Sequence, residues 1–438
     1  MLKRIFSAFL IICLIFTPIL TVSAYEPSGV EITANAAMLV SLDTDEVLYE
    51  KNADQKVYPA SITKIMTTLL ILESDKYSPD AKIAMTEEAL DLISGTGSSV
   101  SLLKVGEEIS QLDLVYMVLM SSYGDCALLA ATYYGGGVEN FVAMMNTRAA
   151  ELGLTGTHYE NPIGLHHEEN YTTARDTYIL TKYALQNETF KEVCESTRHT
   201  VKTSLSGERV LSTTNFLQDN TTNYYYTYAK GVKTGYTDEA GRCLVSTASY
   251  NGYNYMCLVF GCPPNGKNHF TESKELYRWA FNNFEFKNVA DTENPVAEIG
   301  VELSLDTDFV SLYVEESFVS VLPKDADDST ISIVPHPAKE TVDAPIKKGQ
   351  VLGTADIIYA EQVIGTVNLI SNENIEKSTM LTVLRAVKQF FTSSYMKVFY
   401  ALIAVVILIF IIMVIKLNSK KSKKRKIKYV PYNENKKR

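Results

Sequence analysis

The sequence predicts an α/β or α+β domain, then a small all-β domain, then one C-terminal transmembrane helix. Three patterns carry that expectation. Strand-like segments near Ala36 and after Gly241 bracket a helical middle, as happens when N- and C-terminal strands share one sheet with helices packed on it. Beyond Phe286 the pattern changes to short alternating segments separated by Asp-, Pro- and Gly-containing turns. Near the end, Val398 to Ile415 is an uninterrupted apolar run of about 18 residues, enough to cross a bilayer at about 1.5 Å per residue.

Taken in order, residues 1–24 read as a secretory signal peptide: Lys3 and Arg4, the apolar run Ile5 to Leu20, then the small residues Val22-Ser23-Ala24 at the cleavage point. Residues 25–286 form the first domain. Its segment from Ala36 to Tyr58 alternates about Asp43-Thr44-Asp45 and predicts a β-hairpin. Ser61 to Glu73 places apolar residues on a broad helical face, and helical patterns recur over Leu112–Tyr133, Val138–Leu152, Ala174–Gln186 and Glu272–Phe281. Gly241–Ser249 and Tyr253–Gly261 are strands joined by Tyr-Asn-Gly, a hairpin signal. Residues 287–375 form the all-β domain. An amphipathic juxtamembrane segment spans 376–396, with Leu381, Leu384, Val387 and Phe391 on one side and Arg385 and Lys388 elsewhere. The transmembrane helix is expected over 397–417 and a basic tail over 418–438.

At 438 residues and 46% hydrophobic content the chain can bury more than one core. Its formal charge of −10 hides an asymmetry, because the tail carries about ten net positive charges and the remainder is nearer about −20. Such an acidic surface does not seek nucleic acid. The tail sits directly behind an apolar span, so it acts as a topology anchor that stays in the cytoplasm, leaving the domains outside. Six cysteines occur; once Cys13 leaves with the signal, the remaining five have no C-x-x-C spacing and define neither a disulfide framework nor a zinc knuckle.

Chemistry enters at Tyr58-Pro-Ala-Ser61-Ile-Thr-Lys64. Serine in the first turn of a helix with lysine three residues on puts hydroxyl and amine on one face. That lysine can take a proton from the serine only if burial or a second cation lowers its pKa. Alone, S-x-x-K also describes a capping serine and a surface lysine. A partner is Gly231-Val-Lys233-Thr234-Gly235-Tyr236, where an edge strand would offer a cation, a hydroxyl and a glycine against which a substrate's backbone can lie. In this order, in an exported protein, the pair becomes specific.

The chain resembles the D-alanyl-D-alanine carboxypeptidases among the low-molecular-mass penicillin-binding proteins, whose fold is that of the penicillin-binding-protein/β-lactamase transpeptidase domain. The likeness runs through PASITKIMT, GLTGTHYENPIGLHHEENYTTARD and GVKTGYTDEAGRCLVSTAS, and the later stretch KKGQVLGTADIIYAEQVIGTVNLI resembles the family's C-terminal domain. The resemblance implies Ser61 as nucleophile, Lys64 as its base, and Ser122, within Ser122-Tyr123-Gly124, as proton relay. It implies Lys233, Thr234, Gly235 and Tyr236 as substrate-binding groups. Peptidoglycan stem peptides are the implied substrate and β-lactam antibiotics the implied covalent inhibitors, with no metal and no other cofactor.

Two departures stand out. The family's Ser-x-Asn asparagine is Gly124 here, and a family arginine suited to a substrate carboxylate aligns with His269. A catalytically impaired homologue that binds peptidoglycan as a scaffold is therefore the alternative reading. A zinc peptidase would need H-E-x-x-H, which His166-His167-Glu168-Glu169 does not supply. Arg175-Asp176 is expected to close a structural ion pair near the cleft, and Tyr224-Tyr225-Tyr226 to form a packed strand edge.

Overall fold

The protein is described by a computed structural model covering residues 30–423; the expected signal peptide and most of the basic tail lie outside the described residues. The chain divides into two compact units. One runs to Asn288 and takes in Val319–Asp328; the other holds Val289–Phe318 and the residues from Ser329 onward.

The first unit is built on a five-stranded antiparallel sheet. Its strands are β1 (Ala36–Ser41), β2 (Val47–Lys51), β7 (Ala229–Thr237), β8 (Gly241–Tyr250) and β9 (Tyr253–Cys262), in the order β2-β1-β9-β8-β7; β3 (Lys82–Ala84) with β4 (Glu108–Ser110) and β5 (Arg198–Thr203) with β6 (Gly207–Ser212) form two small hairpins. First and last strands thus meet at the centre, as expected, and β7 is an edge. β1 is buried along its whole length rather than alternating with solvent. The reason is a second layer of cover: Met38, Val40, Val245, Met256 and Leu258 face one core, while Leu39, Leu244, Cys257 and Val259 face another on the opposite side. Helix α8 (Asn268–Asn283) closes the second core through Phe270, Leu276 and Tyr277.

The remaining helices pack on the first core: α1 (Lys64–Leu72), α2 (Glu87–Ile93), α3 (Gln111–Leu119), α4 (Gly124–Gly135), α5 (Val138–Glu151), α6 (Ala174–Ala184) and α7 (Glu188–Glu195). The single helix expected over Leu112–Tyr133 is two. Ser122, at φ 64°, turns the chain between α3 and α4 in a conformation no helix interior holds. The Tyr224–Tyr226 run lies in a turn instead of on a strand, with Tyr226 buried in the second core. Arg175 and Asp176 do not pair with each other: Arg175 binds Glu50 and Asp54, and Asp176 accepts from Gly156 N and Thr157 Oγ1. Cys126, Cys194, Cys243, Cys257 and Cys262 are all free and buried.

The second unit contains a six-stranded sheet whose longest hairpin joins Val351–Tyr359 to Gln362–Ser371 through the two-residue turn Ala360-Glu361, both at positive φ. Helix α9 (Thr379–Thr392) follows, capped by Ser378, and Arg385 on it pairs with Asp343 and Glu302. In helix α10 (Ser394–Lys423), the stretch Ser394–Asn418 is long and apolar enough to cross a membrane.

Candidate active site

Pro59 fixes the entry to a short 3₁₀ turn, Ala60–Thr63, which leads into α1. In 3₁₀ geometry residues three apart eclipse, so Lys64 sits over Ser61 more directly than on an α-helix. Lys64 Nζ donates to Ser61 Oγ at 2.9 Å and to the Ile163 carbonyl at 2.7 Å. Lys64 is fully buried, and loss of hydration pushes its pKa down to about 7, with the Asp125 carboxylate opposing the shift. A lysine poised there exchanges protons at neutral pH.

Two close approaches and one anchored loop hold the turn. Gly164, at φ 80°, lies so near Ala60 that a Cβ would stand 1.8 Å from its carbonyl oxygen. Asn161 Oδ1 accepts the N–H groups of Gly164 (2.8 Å) and Leu165 (2.9 Å), which fixes the loop presenting the Ile163 carbonyl. Gly235, on β7, would direct a Cβ towards Pro59 O at 3.0 Å and Ser61 N at 3.2 Å. The glycine of Lys-Thr-Gly therefore lets the strand approach the Ser61 turn, and it lines the cleft as well.

Ser61, Ser122, Thr234, Gly235 and Tyr236 all line one open cleft of about 730 Å³. Lys233 lies behind them, 1% exposed, with Nζ 3.0 Å from the Thr234 carbonyl; burial and the charge of Lys64 hold its pKa well below the usual lysine range. Thr234 donates its hydroxyl to Thr214 at 2.7 Å. Ser122 reaches the cleft but makes no hydrogen bond to Lys64 or Lys233 among the described residues.

At the cleft's other boundary lie Arg242, Lys267 and His269. His269 is 4% exposed, and burial, reinforced by the charges of Arg242 and Lys267, drives its pKa down to about 3. It is neutral at ordinary pH and cannot supply the positive charge of an arginine at that place. Arg242 and Lys267 carry the charge here instead, the first over the Tyr236 ring at 4.9 Å and the second over Phe216 at 4.0 Å. His166 also lines the cleft, edge-on to Tyr58.

Asp125 follows Gly124 at the start of α4 and is fully buried. Its carboxylate accepts from Ser101 N (2.9 and 3.0 Å) and Ser101 Oγ (2.6 Å), and Gly124 N donates to Ser99 O at 2.7 Å. The segment Thr96–Ser99 is thereby drawn onto the cleft wall. Sequence reasoning passed over this segment and Asn161-Pro-Ile-Gly164. Nothing local in either stretch ties it to Ser61.

A family model described as D-alanyl-D-alanine carboxypeptidase matches residues 21–263. The chain belongs to the D-alanyl-D-alanine carboxypeptidase family. A second model, penicillin-binding protein 5, C-terminal domain, matches residues 284–377. Among relatives, D-alanyl-D-alanine carboxypeptidase DacF of Bacillus subtilis is 31% identical over 356 residues, covering 80% of this chain and 88% of that one. DacC of Escherichia coli is 30% identical over 399 residues, covering 85% and 90%. Penicillin-binding protein 5 of Haemophilus influenzae superposes with a TM-score of 0.64 at 28% identity, covering 79% of this chain and 98% of that one. The Streptomyces K15 DD-transpeptidase gives 0.54 at 29%, covering 57% and 98%. Membership of this carboxypeptidase family and a C-terminal penicillin-binding-protein domain are thus as the sequence predicts.

Proposed function

We propose that this family member is an active serine D,D-carboxypeptidase, anchored by its C-terminal helix, that removes the terminal D-alanine from peptidoglycan stem peptides. The observation that carries the reading is the buried Lys64 amine, 2.9 Å from Ser61 Oγ with a pKa near neutrality. Ser61 Oγ attacks the carbonyl between the last two D-alanines while Lys64 takes its proton. The amides of Ser61 and Tyr236 hold the oxyanion. The C–N bond then breaks, Ser122 gives its proton to the leaving amine and takes back the one held by Lys64, and D-alanine departs, leaving an ester on Ser61 and a neutral Lys64. Water, deprotonated at Lys64, hydrolyses that ester and restores the serine. Thr234 faces the substrate's terminal carboxylate with Lys233 buried behind it, and Arg242 and Lys267 add positive potential at that end. β-Lactam antibiotics would acylate Ser61 by the same attack.

The basic tail favours a cytoplasmic C-terminus, with the domains of residues 25–286 and 287–375 on the outer face of the membrane. A fluorescent penicillin is expected to label the wild-type protein covalently, and Ser61→Ala to abolish the label; labelling that survives in Ser61→Ala would falsify the nucleophile assignment. The scaffold reading rests on the missing side chain at Gly124 and on His269 in place of an arginine. Release of free D-alanine from a D-alanyl-D-alanine peptide by the wild-type protein decides against it, and absence of release decides for it.

A further inference from the structure

The cleft wall formed by the turn between α3 and α4 has a vacancy that another part of the chain fills. Gly124 contributes no side chain. A Cβ built there would stand 2.5 Å from Ser98 Oγ, 3.2 Å from Ser98 Cβ and 2.8 Å from Ile93 Cδ1. The hydroxyl of Ser98 therefore occupies the space that a side chain at position 124 would enter. Ser98 lines the same cleft as Ser61, Ser122 and Thr234, and is only partly exposed.

That location is built. Gly95 and Gly97 take left-handed conformations that let the segment turn back on itself, and Thr96 Oγ1 accepts from Ser98 N at 3.3 Å. The next residues are tied to α4 by Ser99 O with Gly124 N and by Ser101 with the Asp125 carboxylate. The Ser98 hydroxyl makes no hydrogen bond to another group among the described residues. Ser98 lines the cleft, and its hydroxyl keeps both a donor and an acceptor free beside Gly124.

We infer that Ser98 is a substrate-contacting residue of this enzyme, its hydroxyl pairing with a peptide group of the bound stem peptide in the slot left open by Gly124. A peptide laid along the edge strand β7 pairs on one side with that strand and turns its other amides across the cleft. Those amides lose water on binding and need partners from the opposite wall. Thr96, Ser98, Ser99 and Ser122 bring hydroxyls to that wall; Thr96 is engaged with Ile93 O and Ser98 N, Ser122 is assigned to the leaving amine, and Ser98 is the one that stands beside Gly124. Glycine at 124 and serine at 98 form one arrangement, since a larger residue at 124 and Ser98 in its present place exclude each other.

The inference rests on the serine-peptidase reading and is separable from it by experiment. Ser98→Ala is expected to lower kcat/KM for D-alanine release by about 10- to 100-fold, the effect of leaving a desolvated peptide group unpaired. Acylation by benzylpenicillin, whose acylamino group mimics the peptide amide, should fall by a similar factor. Acylation by 6-aminopenicillanic acid, which lacks that group, should fall by less than about threefold. Gly124→Asn, which displaces Ser98, should lower turnover as well. Ser98→Ala within twofold of wild type on peptide and benzylpenicillin, equal losses for both β-lactams, or a gain of activity in Gly124→Asn would each overturn the inference while leaving the peptidase reading intact. A wild-type protein inert to all three compounds overturns the peptidase reading and this inference together.

Discussion

The two walls of the cleft are made differently. Around Ser61 every approach is tight: Lys64 is bonded to the serine and to Ile163, Gly164 and Gly235 press against the turn, and a second lysine is buried behind Thr234. Across the cleft, the wall from Ser94 to Ser99 with Ser122 is glycine-bearing and largely exposed or half-exposed, and it is anchored chiefly through Gly124 N and Asp125. The contrast teaches a division of labour. Proton transfer needs a lysine kept dry and fixed within hydrogen-bond reach, whereas recognition tolerates an adjustable wall, provided its ends are tied down.

The comparison can be broken at several points. Lys64→Met removes the base from the rigid wall and should reduce penicillin acylation by about 10²- to 10⁴-fold with the fold retained, measured by stopped-flow labelling. Gly164→Ala forces a Cβ into the Ala60 carbonyl at a positive φ, and should cost about 3 kcal/mol or more of stability in thermal unfolding, with labelling lost alongside. Asp125→Ala unties the adjustable wall. It should cost about 2 kcal/mol and raise KM, and because the Asp125 charge supports protonated Lys64, the acid limb of the activity profile should move to lower pH.

The pH profile itself sharpens the contrast. Lys64 must be neutral to accept the Ser61 proton, so kcat/KM for D-alanine release should rise about tenfold per unit below pH 7 and level off above it. Activity that instead falls as pH rises through 7 assigns Lys64 another role. The smallest effect belongs to Gly124→Ala. Its Cβ meets the movable end of Ser98 and one methyl of Ile93, so stability should change by only about 1 kcal/mol or less while KM rises several-fold.

Much of the architecture was legible. Strands β1, β2, β8 and β9, the turn at Asn251-Gly252, the later β-rich unit and the apolar terminal helix follow from periodicity and turn chemistry, which are local. The break at Ser122 was visible as polar residues inside an apolar run, but its backbone reversal was not. The burial of β1 on both faces escaped because alternation reports contact with solvent, and here a second helical layer replaces solvent. His269 was legible as a substitution for arginine; its neutrality was not, since that depends on burial and on Arg242 and Lys267 brought near by folding.

By itself the sequence marked Ser61, Lys64, Lys233 and Thr234 as the candidates for chemistry, and the family to which the chain belongs, because motif spacing and residue type are written along the chain. Only the tertiary structure decided that Lys64 titrates near pH 7, that Gly235 serves the packing of the Ser61 turn, and that Ser98 stands in the space beside Gly124. A pKa depends on how much water a group loses, and a void depends on what fills it. Both come from segments far apart in the chain, brought together by the burial of two cores about one sheet.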